Sequence, residues 1–499
     1  MKKLPLLLSF ISAFLLVGCG GNAQESTTTP EYVQDVNVFP KHHRGSGYVG
    51  DPMPYYENGK MYVYYLEDAR NYGGGGYHPI SLLETTNFTN YEDKGIMLNF
   101  VDDRYSIEFA LATGSVIKDK SNKYHFFYGG YNDNLSFTGL PYAQTILHAT
   151  STDLYHWTKD PSFNDGKGYL IGNDNDFRDP YVLYMESANE YWMLITSRVG
   201  GVASILKYTS TDLLHWTNKG AFFQAAYNNM ECSSLIRWNG YWYLSFSENG
   251  EHGYTKFYAK RNLEDKDWIE IPTLDGFYAG RPVIGDNNRL FLYGWAPTKG
   301  PYDSVKPEWA GNLISLELTQ QAGSPNLNTI LEKEIKDNIA HEVTYNELST
   351  GKSVSNISLD KTSYVGSKAI EKIKENVATR ISFDLVTSEK AGRCGLTFAN
   401  TSNNQLGSIA FDFNFQKNQL LFYNACQNNE FKTPEYVVKF EYEVNHKYHV
   451  DVLTQDTVTA VFLDNSVSLI MRTSSIVRNN WAFYAQNASV NFEGITFYE

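Results

Sequence analysis

The feature that most narrows the fold is a seven-residue phrase that occurs twice. Ser151-Thr152-Asp153-Leu154-Tyr155-His156-Trp157 returns about 60 residues later as Ser210-Thr211-Asp212-Leu213-Leu214-His215-Trp216. Weaker copies flank the pair, Thr85-Thr86-Asn87-Phe88-Thr89-Asn90-Tyr91 one period before and Arg261 to Trp268 one period after. Each copy follows a short apolar and aromatic run, at Met61–Tyr65, Tyr124–Tyr128, Tyr191–Thr196 and Tyr241–Phe246, and a fifth run stands at Leu290–Tyr293. Runs of this length, bounded by Asn-Gly or Gly-rich turns, read as strands. Helical periodicity is nearly absent, and short strands repeated in blocks bury one another by radial repetition, four strands to a blade around a channel. The chain is therefore expected to be all-β, with a five-bladed β-propeller over residues 36–335. The aspartate in each repeated turn reads as a turn former that bonds backbone N–H groups, not as a catalyst.

From about Asn338 the repeat stops and alternating segments take over, among them Val377–Leu385, Ser408–Phe415 and Tyr448–Leu453. Alternation of this kind makes a C-terminal β-sandwich of residues 336–499, the second domain of the chain. At the other end, Lys2 and Lys3 precede an apolar run from Leu4 to Val17 and the tetrapeptide Leu16-Val17-Gly18-Cys19. The run is too short to span a bilayer and reads as a signal peptide of residues 1–18, while the placing of Cys19 resembles a bacterial lipobox. Acylation of Cys19 would anchor an exported protein to the cell envelope, with residues 19–35 as a flexible tether.

Aromatic residues make up 15% of the chain and the formal net charge is −14. An acidic surface repels phosphate backbones, so nucleic acid is not an expected partner. Aromatic rings and carboxylates together suit carbohydrate, whose C–H faces stack on rings and whose hydroxyls bond to carboxylates. Beyond Cys19 the cysteines are Cys232, Cys394 and Cys426, and no Cys-x-x-Cys or Cys/His cluster suggests a metal site. Cys394 and Cys426 either pair in an oxidising compartment or stay as buried thiols.

Ahead of each strand-like run stands a polar or acidic position: Asp51, Glu108, Asp179, Glu231 and Tyr278. If each run is the second strand of a blade, the segment before it is the innermost, and these side chains converge at one mouth of the channel. Singly, each has a plainer reading, since Asp-Pro is usually a turn and Arg178-Asp179 a structural ion pair. Jointly they supply what glycoside hydrolysis needs, one carboxyl to protonate the leaving oxygen and one to attack or to activate water, plus a spare. The cleavage itself calls for no cofactor.

These residues resemble glycoside hydrolase family 32, the retaining β-fructosidases that include invertases, inulinases and levanases. Gly50-Asp51-Pro52 is similar to the family's nucleophile motif, Phe177-Arg178-Asp179-Pro180 to its transition-state stabiliser, and Glu231-Cys232 to its acid/base. Asp275-Gly276-Phe277-Tyr278-Ala279 with Tyr293-Gly294-Trp295 resembles its last blade, which implies Tyr278 and Trp295 as substrate contacts, beside Tyr48, Arg178 and Glu108. The resemblance implies hydrolysis of β-fructosidic bonds in an oligo- or polysaccharide, with Glu231 protonated and Asp51 ionised in the resting site. One stretch departs from the family, whose motif reads Trp-Met-Asn-Asp-Pro-Asn-Gly where this chain has Tyr48-Val49-Gly50-Asp51-Pro52-Met53-Pro54. That stretch is also similar to the Asp-Pro of glycoside hydrolase family 43, the inverting arabinofuranosidases and xylosidases, and a non-catalytic surface glycan-binding protein is the third reading.

Overall fold

The computed structural model describes residues 36–41, 47–68, 78–249, 254–274, 276–299, 307–369, 377–398, 409–423, 426–427, 430–431, 433–472 and 480–499. The expected signal peptide, Cys19 and the tether to residue 35 lie outside these, as does Asp275.

The repeated phrase owes its recurrence to side chains that build the turn locally. Ser151 Oγ accepts the N–H groups of Asp153 and Leu154 at 3.1 and 3.0 Å, and Asp153 Oδ1 accepts those of Tyr155 and His156 at 2.9 and 2.8 Å. The Trp157 indole N–H then closes the turn on the Leu154 carbonyl at 3.1 Å. Ser210, Asp212 and Trp216 make the same bonds one period on, and Thr85 with Asn87 makes the backbone part of them one period earlier. In all three turns one buried residue, Phe88, Leu154 or Leu213, takes a left-handed conformation and turns its side chain into the core. The aspartates are turn formers, as the sequence indicates.

Between these turns run antiparallel strands. The first set is β1 (Tyr48–Glu57), β2 (Lys60–Asp68), β3 (Ile80–Thr85) and β4 (Glu92–Leu98). The second is β5 (Ala110–Lys118), β6 (Tyr124–Tyr131), β7 (Gln144–Ser151) and β8 (Thr158–Lys159). The third is β9 (Phe177–Met185), β10 (Glu190–Val199), β11 (Val202–Ser210) and β12 (Thr217–Gln224), and the fourth β13 (Met230–Trp238), β14 (Tyr241–Glu248), β15 (Tyr254–Lys260) and β16 (Ile269–Leu274). Then come β17 (Tyr278–Ile284), β18 (Leu290–Lys299), β19 (Pro307–Gln320) and β20 (Leu327–Ile330).

Hydrogen bonding groups these strands into three four-stranded sheets and one of eight, because β19 also pairs with β1. That pairing rests on one register match, Val49 with Gly311, and it joins the two ends of this half of the chain. The strands β1, β5, β9, β13 and β17 touch one another in cyclic order, so the sheets stand around a common axis. After the short helix α1 (Lys333–Asn338), the strands from Glu342 to Tyr498 form two seven-stranded sheets, packed on a core that includes Phe383, Phe411, Trp481, Phe483 and Phe492, and a two-stranded ribbon of Cys426–Gln427 with Glu430–Phe431. The other face of one of these sheets, through Phe462 and Ile470, shares a core with Leu290, Ile314 and Leu327. Arg472 reinforces that contact, donating from Nε to the Pro297 carbonyl at 2.6 Å. Residues Asp35–Glu499 accordingly form one unit. Cys394 is a buried free thiol, as is Cys232.

Candidate active site

Each strand at the axis breaks its register at the same level. The breaks fall at Gly50/Met53 in β1, Ala112/Gly114 in β5, Arg178/Tyr181 in β9, Glu231/Ser234 in β13 and Tyr278/Arg281 in β17. At four of them the extra residue is left-handed without being glycine: Asp51 at φ 40°, Asp179 at 60°, Cys232 at 54° and Ala279 at 55°. Such a conformation costs on the order of 1–2 kcal/mol per residue and, with a bulge, re-aims side chains that a flat strand would send to opposite faces. The result is two neighbouring rings of positions. Asp51, Thr113, Asp179, Cys232 and Ala279 make one; Gly50, Ala112, Arg178, Glu231 and Tyr278 make the other.

This corrects the expected equivalence of five positions. Glu231 and Tyr278 stand one residue out of step with Asp51 and Asp179, since counting back from an apolar run cannot register the extra residue of a bulge. Glu108 precedes β5, outside both rings of positions, and accepts Tyr128 Oη at 2.9 Å and Lys159 Nζ at 2.6 Å.

The offset explains who holds whom. Glu231 lies in the ring of Arg178 and Tyr278, and both bind it: Arg178 Nη2 donates to Oε1 at 2.7 Å, and the Tyr278 hydroxyl donates to Oε2. Arg178 also donates to Asp176 Oδ1 at 2.6 Å, with its Nε 3.9 Å from Asp179 Oδ2. Asp179 is buried and accepts the Cys232 backbone N–H at 2.9 Å, a donor that the left-handed turn at Cys232 presents. Asp51, partly exposed, accepts the Trp295 indole N–H at 3.1 Å. Tyr278 and Trp295 are register partners across β17 and β18, with ring centroids 5.3 Å apart. A single cross-strand pair thus delivers one donor to each of two carboxyls. Both residues were expected to contact substrate; in the structure they hold Glu231 and Asp51, and Arg178 bridges acids. Tyr48 opens β1 opposite Asp68, three residues before Asp51.

Three residues at the site gave no sequence signal. Arg281 is fully buried just past the break in β17 and donates across the axis to the carbonyl of Gly114, where a side chain would collide with the backbone of Phe127. Trp309, from β19, covers Gly50 so closely that a Cβ there would lie 2.3 Å from its ring, and the His78 ring lies tilted against Trp309 with centroids 4.4 Å apart. The ring of Trp309 occupies the space that the asparagine of the resembled motif would need at position 50.

Burial, reinforced by the charges of Asp179 and Glu231, pushes the Asp51 carboxyl up to about 7, against the pull of the Trp295 N–H and of Arg281. Burial also raises Asp179, while Arg178 draws it down. Burial therefore works against the ionised state expected of Asp51, and the Trp295 N–H and Arg281 work for it. Among the described residues no group of three or more His, Cys, Asp or Glu side chains is placed to hold a metal ion.

Carboxyls gathered at the mouth of an all-β ring, each on its own donor, are the equipment of a glycoside hydrolase. Residues 44–322 match the family described as "Glycosyl hydrolases family 32 N-terminal domain", more than half of the chain, and the chain belongs to that family. It is similar to a levanbiose-producing levanase of Geobacillus stearothermophilus, 28% identical over 219 residues, which make up 40% of this chain and 50% of the levanase. The chain thus spans about half the length of that curated relative. Among solved structures it is similar to a β-fructofuranosidase of Schwanniomyces occidentalis complexed with fructosyl-erythritol (TM-score 0.68, 13% identity, covering 93% of this chain and 97% of the other). It is also similar to fructan 1-exohydrolase IIa of Cichorium intybus (TM-score 0.68, 13% identity, covering 94% and 98%). At such identities the likeness is one of fold.

The close approach of Trp309 has a measurable cost. Gly50→Ala alone is expected to destabilise the protein by about 1–3 kcal/mol through overpacking, and to cost less than about 0.5 kcal/mol in a Trp309→Ala background. Urea unfolding of the four proteins measures the coupling, and equal costs in both backgrounds would mean that the ring is not what fills the site.

Proposed function

We propose that the protein hydrolyses β-fructosidic bonds in fructans or fructo-oligosaccharides by a retaining double displacement. The observation that carries this reading is the pair Asp51 and Glu231, each bound by a separate donor from the Tyr278–Trp295 pair. Asp51 attacks the anomeric carbon while Glu231 protonates the leaving oxygen; Glu231 then takes a proton from the water that releases the sugar. Asp179, steadied by the Cys232 N–H, bonds the sugar hydroxyls most strongly as positive charge develops on the ring. We read the eight-stranded sheet as two blades joined at Val49 and Gly311, which with the three four-stranded sheets makes a five-bladed propeller over residues 36–335 and a sandwich over 336–499. Family membership, the levanase similarity and the fold of the fructosidases support this reading.

Release of fructose or fructo-oligosaccharides from sucrose, inulin and levan, with arabinan as control, tests it. The parent is expected to act on at least one fructan, and Asp51→Asn or Glu231→Ala to lose about 10²–10⁴-fold in kcat/KM. Arabinose as the product, or binding of glycan without cleavage, would overturn the assignment.

The nucleophile must lose its proton before it attacks, so a group held up at about 7 sets the acid limb. The kcat/KM of the parent is expected to rise with pH through about 7, and removing the positive charge in Arg281→Met to move that limb upward. A limb that stays in place in a variant that still folds would show that Arg281 does not act on Asp51.

We also propose export and a lipid anchor at Cys19, on the strength of Lys2, Lys3, the apolar run and the cysteine that follows Gly18. The parent is expected in the membrane fraction and labelled by palmitate, and Cys19→Ser in neither condition. Unlabelled parent in the soluble fraction would refute the anchor.

A further inference from the structure

Among the described residues nine large hydrophobics are exposed, and six of them, Ile96, Val101, Tyr105, Tyr131, Val199 and Val202, come from one rim of the ring. Strand direction identifies the rim. Asp51, Asp179 and Glu231 stand near the starts of β1, β9 and β13, so each following strand, and each fourth strand, returns to that same face. Ile96 lies near the end of β4, Tyr131 ends β6, and Val199 and Val202 flank the β10–β11 turn. Val101 and Tyr105 belong to the segment between β4 and β5. The exposed apolar surface therefore gathers around the mouth that holds the carboxyls.

At its centre is a built platform. Tyr105, 54% exposed, meets Phe137 with ring centroids 5.0 Å apart. The Arg104 guanidinium stacks on both rings, at 5.2 and 4.6 Å. The two rings come from different loops, residues 99–109 and 132–143, and one buried side chain ties these together. Asn132 Nδ2 donates to the carbonyls of Arg104 and Ser106, both at 2.8 Å, and its Oδ1 accepts the Asn134 N–H at 2.9 Å. Asp103 Oδ1 accepts the Tyr105 N–H at 3.0 Å, and Glu108, on Lys159 and Tyr128, anchors the end of the first loop. A pair of rings fixed in place, backed by a guanidinium and bordered by the exposed carboxylates of Asp102, Asp103 and Asp133, offers a stacking face with donors and acceptors at its edge. That is the chemistry of a sugar ring, apolar on its C–H face and hydroxylated at its rim.

We propose that Tyr105 and Phe137 form a second carbohydrate subsite, which stacks a sugar unit further along the same glycan whose cleaved unit lies at Asp51 and Glu231. The proposal rests on the hydrolase reading and extends it, since a subsite there favours polymeric fructans over sucrose.

The test compares kcat/KM on sucrose with that on high-molecular-mass levan and inulin for the full chain and for Tyr105→Ala, Phe137→Ala and Tyr105→Trp, with thermal unfolding in parallel. In the alanine variants the polymer value is expected to fall about 3- to 10-fold, through KM, with sucrose and the unfolding temperature unchanged and the polymer value recovered in Tyr105→Trp. A parent active on both substrates, with variants that lose nothing or lose both equally, would overturn the subsite and leave the hydrolase reading standing. A smaller particle in sedimentation, with unchanged polymer kinetics, would mark the platform as an interface between copies and also overturn the subsite. A parent inactive on every fructan would overturn the hydrolase reading, and the subsite with it.

Discussion

The ring closes where the start of this half of the chain meets its end, and the site spans that seam. Val49 pairs with Gly311, and the Leu313 N–H donates to the Pro40 carbonyl at 2.8 Å. A Cβ on Gly50 would strike Trp309 of β19, and one on Gly311 would lie 1.6 Å from the Ala296 carbonyl oxygen on β18. Glycine at position 50 thus lets the first strand lie under Trp309, and glycine at position 311 lets β19 lie close to β18. Asp51 stands two residues beyond Val49 and receives the indole N–H of Trp295, 244 residues further on. The seam is continued outward by the sandwich, whose Arg472 bonds the carbonyl of Pro297 on the strand beside it.

Within the closed ring the register breaks divide the labour among the acids. The ring of positions holding Asp51 and Asp179 feels the nearby charge of Arg281, and Asp179 there is buried on the Cys232 N–H. In the neighbouring ring Glu231 is held between Arg178 and Tyr278. Three carboxyls in one small mouth would repel one another severely if all were ionised and unpartnered. The one-residue offset of Glu231 from Asp51 and Asp179 gives it a different set of partners, and each of the three carboxyls has a donor of its own.

How much of this the sequence carried depended on how local each interaction is. The turns at Ser151 and Ser210 are made by side chains bonding backbone two or three residues away, so they are written as a recurring phrase and the strand count follows from them. Asp51, Asp179 and Glu231 could be singled out because each stands beside Pro or Cys, roughly ten to fifteen residues ahead of an apolar run. Their true offset could not, because a bulge adds a residue without changing composition. Glu108 looked like a fourth acid of the mouth; its partner Lys159 lies 51 residues on and leaves no trace near it. Arg281 and Trp309 act across the ring on groups more than 150 residues away, and no window of sequence contains both ends of such a contact.

The placing of the seam has a temporal consequence. All three acids have been synthesised by residue 231, yet the donors that hold Glu231 and Asp51 arrive only with Tyr278 and Trp295, and the strand that shuts the ring only with Gly311. A growing chain therefore carries its acids without an assembled mouth, and the mouth can assemble only once nearly two thirds of the polypeptide has been made.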